Sequence, residues 1–424
     1  MINTKSNKRK ISSWILYDFA NTIYSFIVVT YYLPPLLEKS TGSNFLMSFS
    51  TIFSMILAGI SAPVLGALTD RSRTAKKWLI FSTVICCVAC SGIGFFIGED
   101  LSFSLVRVMG IFFMFVLANY TYQIGLMFYN SFLPTLGSKD KLGKISGLGI
   151  AFGYGGPLFI LPLAEKVASI STWLVFPFGG MAFLIFSLPM FFLVPEREPV
   201  INEAIDFSII KQESKKFIGH FRNLKENRNL LMILLANFFA IDAVNTAIIF
   251  MTTYLKNAAW ISLSDDVRSS HVMTMMFALI VSSMIMSFFI GWLCDKADSK
   301  KGFLVAVLCM ISAVILGIAL ADTGKWLIII VAPLGGTGLG GVWTAGRKMV
   351  ADITPFGKEG EYFGLYGLVG KVSAFGTIMF AVVTWIIPII GFSKPFAYKA
   401  AFLFQCVALL ISIVFLRKVK LKQN

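Results

Sequence analysis

The sequence predicts an all-α membrane protein of twelve transmembrane helices, arranged as two pseudo-symmetric six-helix bundles with both termini cytoplasmic. Three observations lead there. The first is composition: of 424 residues, 57% are hydrophobic and only 14% charged, with a mean hydropathy of +0.78. A soluble domain carries about 25% charged residues, so the bilayer is the solvent for most of this chain. The second is a series of apolar runs, each long enough to span. The third is the gathering of lysine and arginine into alternate connections.

A spanning helix needs about 20 mainly apolar residues. The first such run, residues 11–37, carries Asp18 and follows a basic stretch from Lys5 to Lys10. It is too long for a signal peptide and lacks a small-residue cleavage pattern, so it reads as a retained helix. Runs 45–69 and 78–97 are free of charge; 101–127 carries Arg107; 145–164 and 173–194 are again free. The second half opens with 230–255, which carries Asp242. Runs 272–293, 303–321 and 326–345 have no charge, 362–388 carries Lys371, and 400–416 has none.

Orientation follows from the basic residues. With the N-terminus inside, the inner segments hold 28 of the 37 lysines and arginines, and the outer segments seven. A missed helix would scramble that alternation. The longest connection, 195–229, is then cytoplasmic and separates an N-terminal bundle (1–194) from a C-terminal one (230–424). Within it Phe207, Ile210, Phe217, Phe221 and Leu224 fall near one helical face. Two readings stand: a helix lying in the membrane interface, or a partly ordered linker.

The halves repeat one another. Asp18-Phe-Ala-Asn21-Thr22 in helix one matches Asp242-Ala-Val-Asn245-Thr246 in helix seven, 224 residues on, and Phe26 and Phe250 extend the match. Gly66-Ala-Leu-Thr-Asp70-Arg-Ser-Arg after helix two matches Gly291-Trp-Leu-Cys-Asp295-Lys-Ala-Asp after helix eight, 225 residues on. Parallel repeats about the membrane normal are a transporter architecture with the substrate site between the halves.

The segment with Gly66, Leu68, Asp70, Arg71, Arg73, Lys76 and Lys77 resembles the loop motif of the major facilitator superfamily, and Gly291 to Lys301 is a looser second copy. Three further stretches resemble the vacuole-effluxer-like branch of that superfamily, an autophagy-related amino-acid effluxer-like group. They are Trp14-Ile-Leu-Tyr17-Asp18-Phe19-Ala20-Asn21; Tyr129-Asn130 with Leu133-Pro134 and the glycines from Gly147 to Gly156; and Arg347, Pro355 and Phe363-Gly364-Leu-Tyr366. The resemblance touches both halves. It implies the major facilitator fold, and amino-acid export as its fungal relatives' role. It also implies that Gly66, Asp70, Arg71, Arg73, Gly291 and Asp295 hold the cytoplasmic helix ends together in one state, with Arg347 joining them.

A charge at mid-bilayer costs a few kcal/mol or more, so it faces water or a partner. Asp18 with Asn21, and Asp242 with Asn245, share helical faces that suit a cation, a proton or a substrate ammonium. The alternative is an interhelical hydrogen-bond lock. Lys371 suits a carboxylate, or an internal ion pair. Arg107 lies at the outer end of helix four, where it snorkels or gates. Asn119, Tyr120, Tyr122 and Gln123 form a polar patch on the same helix, which the resemblance places with helices one, seven and ten around a central cavity.

Other chemistries find no support. The six cysteines sit in or beside apolar runs, and His220 and His271 lie far apart, so no metal site is expected. The glycines near 147–156 and 335–341 lack a Gly-Lys-Ser/Thr ending and read as helix-packing surfaces. The net charge of +15 is spread between apolar runs, which disfavours nucleic-acid binding. The expectation is therefore a monomeric, cofactor-free secondary transporter of the bacterial inner membrane. It moves a small polar solute, amino acids foremost, with a coupling proton or cation. Against it stand an exporter of lipophilic compounds, suggested by 41 phenylalanines, and a transport-inactive receptor or scaffold.

Overall fold

The computed structural model describes residues 4–41, 45–72, 74–99, 104–196, 227–260, 263–323, 325–373 and 375–421. These residues are helical throughout, apart from short connections. In chain order the helices are α1 (Thr4–Tyr24), α2 (Leu33–Thr41), α3 (Phe45–Arg71), α4 (Ala75–Ile97), α5 (Leu105–Ser131), α6 (Leu142–Ile170) and α7 (Val175–Leu193). They continue as α8 (Arg228–Ala258), α9 (Asp265–Lys296), α10 (Ser299–Ala319), α11 (Lys325–Ile353), α12 (Glu359–Val372), α13 (Phe375–Ile389) and α14 (Lys394–Arg417). Eleven helical stretches among the described residues are long and apolar enough to cross a membrane, with α12 and α13 counted together. The twelfth expected span is divided between α1, a π-helical segment at Ser25–Tyr32, and α2.

That division has a local cause. Pro34 and Pro35 open α2, and their missing N–H groups remove two backbone bonds at this point. The chain runs up to them in the wider π register. A second departure lies in the expected eleventh helix, 362–388. It is not one helix: α12 ends at Val372, Ser373 is non-helical, and α13 begins at Phe375. Its start also lies earlier, at Glu359. Helices are tolerated with such breaks only where the freed backbone groups find other partners. The amphipathic stretch expected around Phe207 to Leu224 lies outside the described residues, as does Arg73.

The chain forms two compact units. The first takes Met1–Ser138, Phe152–Phe221 and Thr354–Leu368; the second takes Lys139–Ala151, Arg222–Ile353 and Val369–Asn424. Their internal packing repeats. In the first unit α5 packs on α4 and α3, and α1 on α7; in the second α11 packs on α10 and α9, and α8 on α14. These are the pairings that the sequence repeat requires. Large apolar side chains such as Phe95, Phe192 and Met273 are mostly exposed, which suits a lipid-facing wall.

In the core of the first unit, Trp14 stacks on Tyr129 at 4.5 Å between ring centroids, and Tyr17 stacks on the same ring at 5.0 Å. The Trp14 indole donates to the Tyr129 carbonyl at 3.0 Å, and the Tyr17 and Thr83 hydroxyls lie 2.7 Å apart. All three rings are fully buried. Residues from two separate sequence signatures thus fasten α1 to α4 and α5.

Candidate functional site

Two carboxylates at helix ends do the same work in the two units. In the first, Asp70 at the end of α3 accepts the backbone N–H of Gly360 at 2.7 Å and of Glu361 at 2.8 Å. In the second, Asp295 at the end of α9 accepts the N–H groups of Gly143 and Lys144, each at 2.7 Å. Each carboxylate satisfies two of the donors that a helix N-terminus leaves open, and meets the positive end of the helix dipole.

The approach is close because glycines face each other. A Cβ on Gly66 would meet the Gly360 carbonyl oxygen at 2.1 Å, and one on Gly291 would meet that of Gly143 at 2.3 Å. Gly364 packs likewise on Pro63, and Gly147 on Ser287. Gly360-x-x-x-Gly364-Leu365 and Gly143-x-x-x-Gly147-Leu148 share a spacing. That shared small-residue pattern is the signal that would have paired the two caps from the sequence.

Other groups gather at the same ends. The Glu196 carboxylate caps α4 through the Lys76 N–H at 2.8 and 3.0 Å. Arg347 is buried in α11 and donates to the Ser146 carbonyl of α6 at 3.4 Å. The next residue, Lys348, pairs with Asp352 one turn on, whose other oxygen accepts from Ser299 at 2.5 Å. Arg71 is half-buried at the end of α3.

The membrane-embedded polar residues fall into separate groups. Asp18, 6% exposed, accepts from the Asn21 side chain at 3.1 Å, and the Tyr122 hydroxyl donates to Asn21 at 3.5 Å. Asp18, Asn21 and Tyr122 therefore come together. Asn119 does not join them: it donates to Ser54 at 2.7 Å and ties α5 to α3. Gln123 is half-buried on α5.

Asp242 is wholly buried in the middle of α8. It accepts the N–H of Gly376 at 2.7 Å, at the start of α13. Asn245 turns to the non-helical Ser373 at 3.5 Å. Lys371 stands in the last turn of α12, half-buried. Asp242, Asn245 and the break in helix eleven are thus one assembly. Gly376 and Gln405 complete it, and neither stood out in the sequence because their roles depend on the break.

The profile of the family described as "Vacuole effluxer Atg22 like" matches residues 37–424. The chain belongs to the vacuole effluxer Atg22-like family. Within reach of this Atg22-like chain is an uncharacterized MFS-type transporter, YxiO, of Bacillus subtilis: 25% identical over 397 residues, covering 88% of this chain and 87% of that one. An autophagy-related protein 22 of Vanderwaltozyma polyspora is 23% identical, covering 98% and 92% respectively. Among solved structures, a bacterial homologue of the iron transporter ferroportin superposes with a TM-score of 0.73 at 15% identity, covering 98% of this chain and 99% of that one. This last likeness shows the fold. The Atg22-like chain is a multi-pass membrane transporter of the major facilitator fold, not an enzyme.

Proposed function

We propose that the protein is a secondary active transporter that moves a small polar solute, amino acids foremost, by alternating access. The observation that carries this reading is the buried Asp242 at the break in helix eleven, with Asn245 on Ser373 and Lys371 two residues before it along the chain. Ionisable groups inside membrane helices mark solute and ion pathways, and discontinuous helices supply backbone groups for binding. Lys371 suits a carboxylate. Asp18 with Asn21 and Tyr122 suits an ammonium, or a coupling proton or cation. Gln123, half-buried on the same helix as Tyr122, lines that side of the pathway, whereas Asn119 is taken up by Ser54. The family's description as vacuole effluxers is in keeping with an exported polar cargo.

The caps at Asp70 and Asp295 act as the gate, together with Gly66, Arg71, Arg73, Gly291 and Arg347. They are placed on the cytoplasmic side by the distribution of basic residues. Such hydrogen bonds hold in one state and part in another without covalent change. The membrane is the bacterial inner membrane, and the protein acts as a monomer.

The test is uptake and efflux of a radiolabelled amino-acid mixture in proteoliposomes, with and without an imposed ion gradient. Gradient-dependent movement is expected. Asp18→Asn and Asp242→Asn should each reduce the rate at least about tenfold, a rise of about 1.4 kcal/mol in the barrier. Unchanged transport and unchanged gradient dependence in both variants would remove these residues from the pathway.

A further inference from the structure

A groove of about 330 Å³ runs between α1 and α7, at the end of the first unit where α1 begins and α7 finishes. Lys8, Arg9, Ser12 and Ser13 of α1 form its outer wall. Deeper in, the wall is apolar, with Leu16 from α1 and Pro189 and Leu193 from α7. Lys8, Ser12 and Leu16 follow one another at intervals of four, so a single stripe of α1 turns from cationic to apolar along its length. Pro189, inside α7, puts a compact ring where a longer side chain would reach across.

Lys8 and Arg9 are exposed, and among the described residues neither side chain has a hydrogen-bond or ion-pair partner. The Ser13 hydroxyl donates to the Arg9 carbonyl at 2.8 Å, whereas the Ser12 hydroxyl is exposed beside the two cations. Glu196, the carboxylate that follows α7, is turned to the Lys76 N–H and neutralises neither of them. The repeat shows that the fold does not require this groove. At an offset of 224, α8 has Met232 and Ile233 in place of Lys8 and Arg9, and Ala236 in place of Ser12. Met232 and Ile233 are buried. There α14, the counterpart of α7, closes on α8: Ser412 donates to the Ala236 carbonyl at 2.7 Å, and Phe415 stacks on Phe239 at 5.8 Å. The first unit keeps two charges and an open cleft where the second packs a helix pair.

We infer that this groove binds one anionic phospholipid of the inner leaflet, its phosphate held by Lys8, Arg9 and Ser12 and an acyl chain laid along Leu16, Pro189 and Leu193. The ammonium and the guanidinium offer only donors, which a phosphate's oxygens match. The depths match as well. A head-group layer is about 5–8 Å thick on each side of the hydrocarbon, and Lys8 to Ser12 covers about 6 Å of helix. Leu16 lies about 6 Å further in, level with the chains. Leu193 is 47% exposed and Phe192 beside it 78%, so the groove opens toward lipid. The inner leaflet follows from the distribution of basic residues, and basic pockets between membrane helices on that side suit acidic head groups. A zwitterionic head brings its own ammonium, which Lys8 and Arg9 repel.

Lipid binding here is measured without transport. Purified full-length protein in a neutral detergent is unfolded thermally while phosphatidylglycerol, or phosphatidylcholine with the same acyl chains, is added at constant salt. A lipid that binds the folded state raises the midpoint in a saturable way, and a rise specific to phosphatidylglycerol is expected. Lys8→Gln combined with Arg9→Gln should raise the half-saturating lipid concentration about tenfold or more. Lys141→Gln combined with Lys418→Gln removes two exposed cations from other segments and should leave it within about twofold. Ser12→Phe keeps both charges but fills the groove; it should weaken binding as the double variant does, and it carries the test if that variant does not fold. An equal rise with phosphatidylcholine overturns the site, as does a wild-type half-saturation in Ser12→Phe or in the Lys8 and Arg9 variant. An equal loss in the Lys141 and Lys418 variant reduces the effect to net charge and overturns it too. Glycerophosphoglycerol, the head group without chains, should give no rise at the same concentrations. If it stabilises as well as the lipid does, the groove holds a free anion and the lipid assignment falls.

Discussion

Gly66 and Asp70 sit one turn apart at the end of α3, and together they leave little room for another side chain there. The glycine brings two backbones to within reach, and the aspartate then collects two N–H groups from the start of α12. Gly66→Ala places a methyl group 2.1 Å from a carbonyl oxygen that belongs to a helix backbone and cannot turn aside. The variant is expected to lose about 1–3 kcal/mol through forced separation. Asp70→Asn keeps the shape but removes the charge, at a cost of about 1–2 kcal/mol. Thermal unfolding in detergent checks both, and the glycine variant should be worse than a Gly370→Ala control. A Cβ at Gly370 meets nothing closer than 3.9 Å. Trp14 offers a contrasting residue, a structural one. It is fully buried against Tyr129, so Trp14→Ala should cost about 3–5 kcal/mol, measured in the same way. Trp14→Phe should recover most of that.

At the scale of elements, the repeat is clearest where it fails. Helices α1 and α8 carry the same Asp-x-x-Asn-Thr pattern. Yet Asp18 bonds to Asn21 on its own helix, while Asp242 caps the start of α13 and Asn245 turns to Ser373. The difference lies in the facing helix. Gly153 of α6, opposite Asp18, belongs to an unbroken helix despite Pro157 and Pro162. Opposite Asp242, the helix is interrupted at Ser373. The cap and the break depend on each other: without the carboxylate the freed N–H groups would be unsatisfied in an apolar setting, and without the break the carboxylate would have no donors there. Gly376→Ala is therefore expected to disturb more than a packed methyl group would. Its Cβ would sit at under 2.8 Å from three oxygens, and thermal unfolding in detergent should show a loss of about 1–3 kcal/mol of stability.

For the whole molecule, the distribution of basic residues fixes an expected topology that a labelling experiment checks. Single cysteines placed in the connection 195–229, in a cysteine-free background, should react with an impermeant maleimide only after the cytoplasmic face is opened. Labelling from outside in intact cells would reverse the assignment of the gate to the cytoplasmic side. The six native cysteines are buried or half-buried and unpaired by disulfides among the described residues, so their removal is a matter of packing. Each replacement by alanine or serine should be chosen with that in mind.

The fold was legible in the residues because membrane solvation is a local property. Any run of some twenty apolar residues must be helical and spanning in lipid, and charge alternation and the repeat then organise the runs. The membership of Asp18, Asn21 and Tyr122 in one cluster was legible in part, through helical spacing and the polar patch on α5. What the sequence by itself determined, then, was the number and order of the spans, their repeat, and which residues are too costly in lipid to be idle. The tertiary structure alone decided which partner answers each of them. Asp242 meets Gly376, 134 residues away; Gln405 turns its oxygen toward the same place; and helix eleven breaks where they meet. A helix's own sequence does not say whether it can break, because the energy of the break lies in groups on other helices that take up the freed hydrogen bonds.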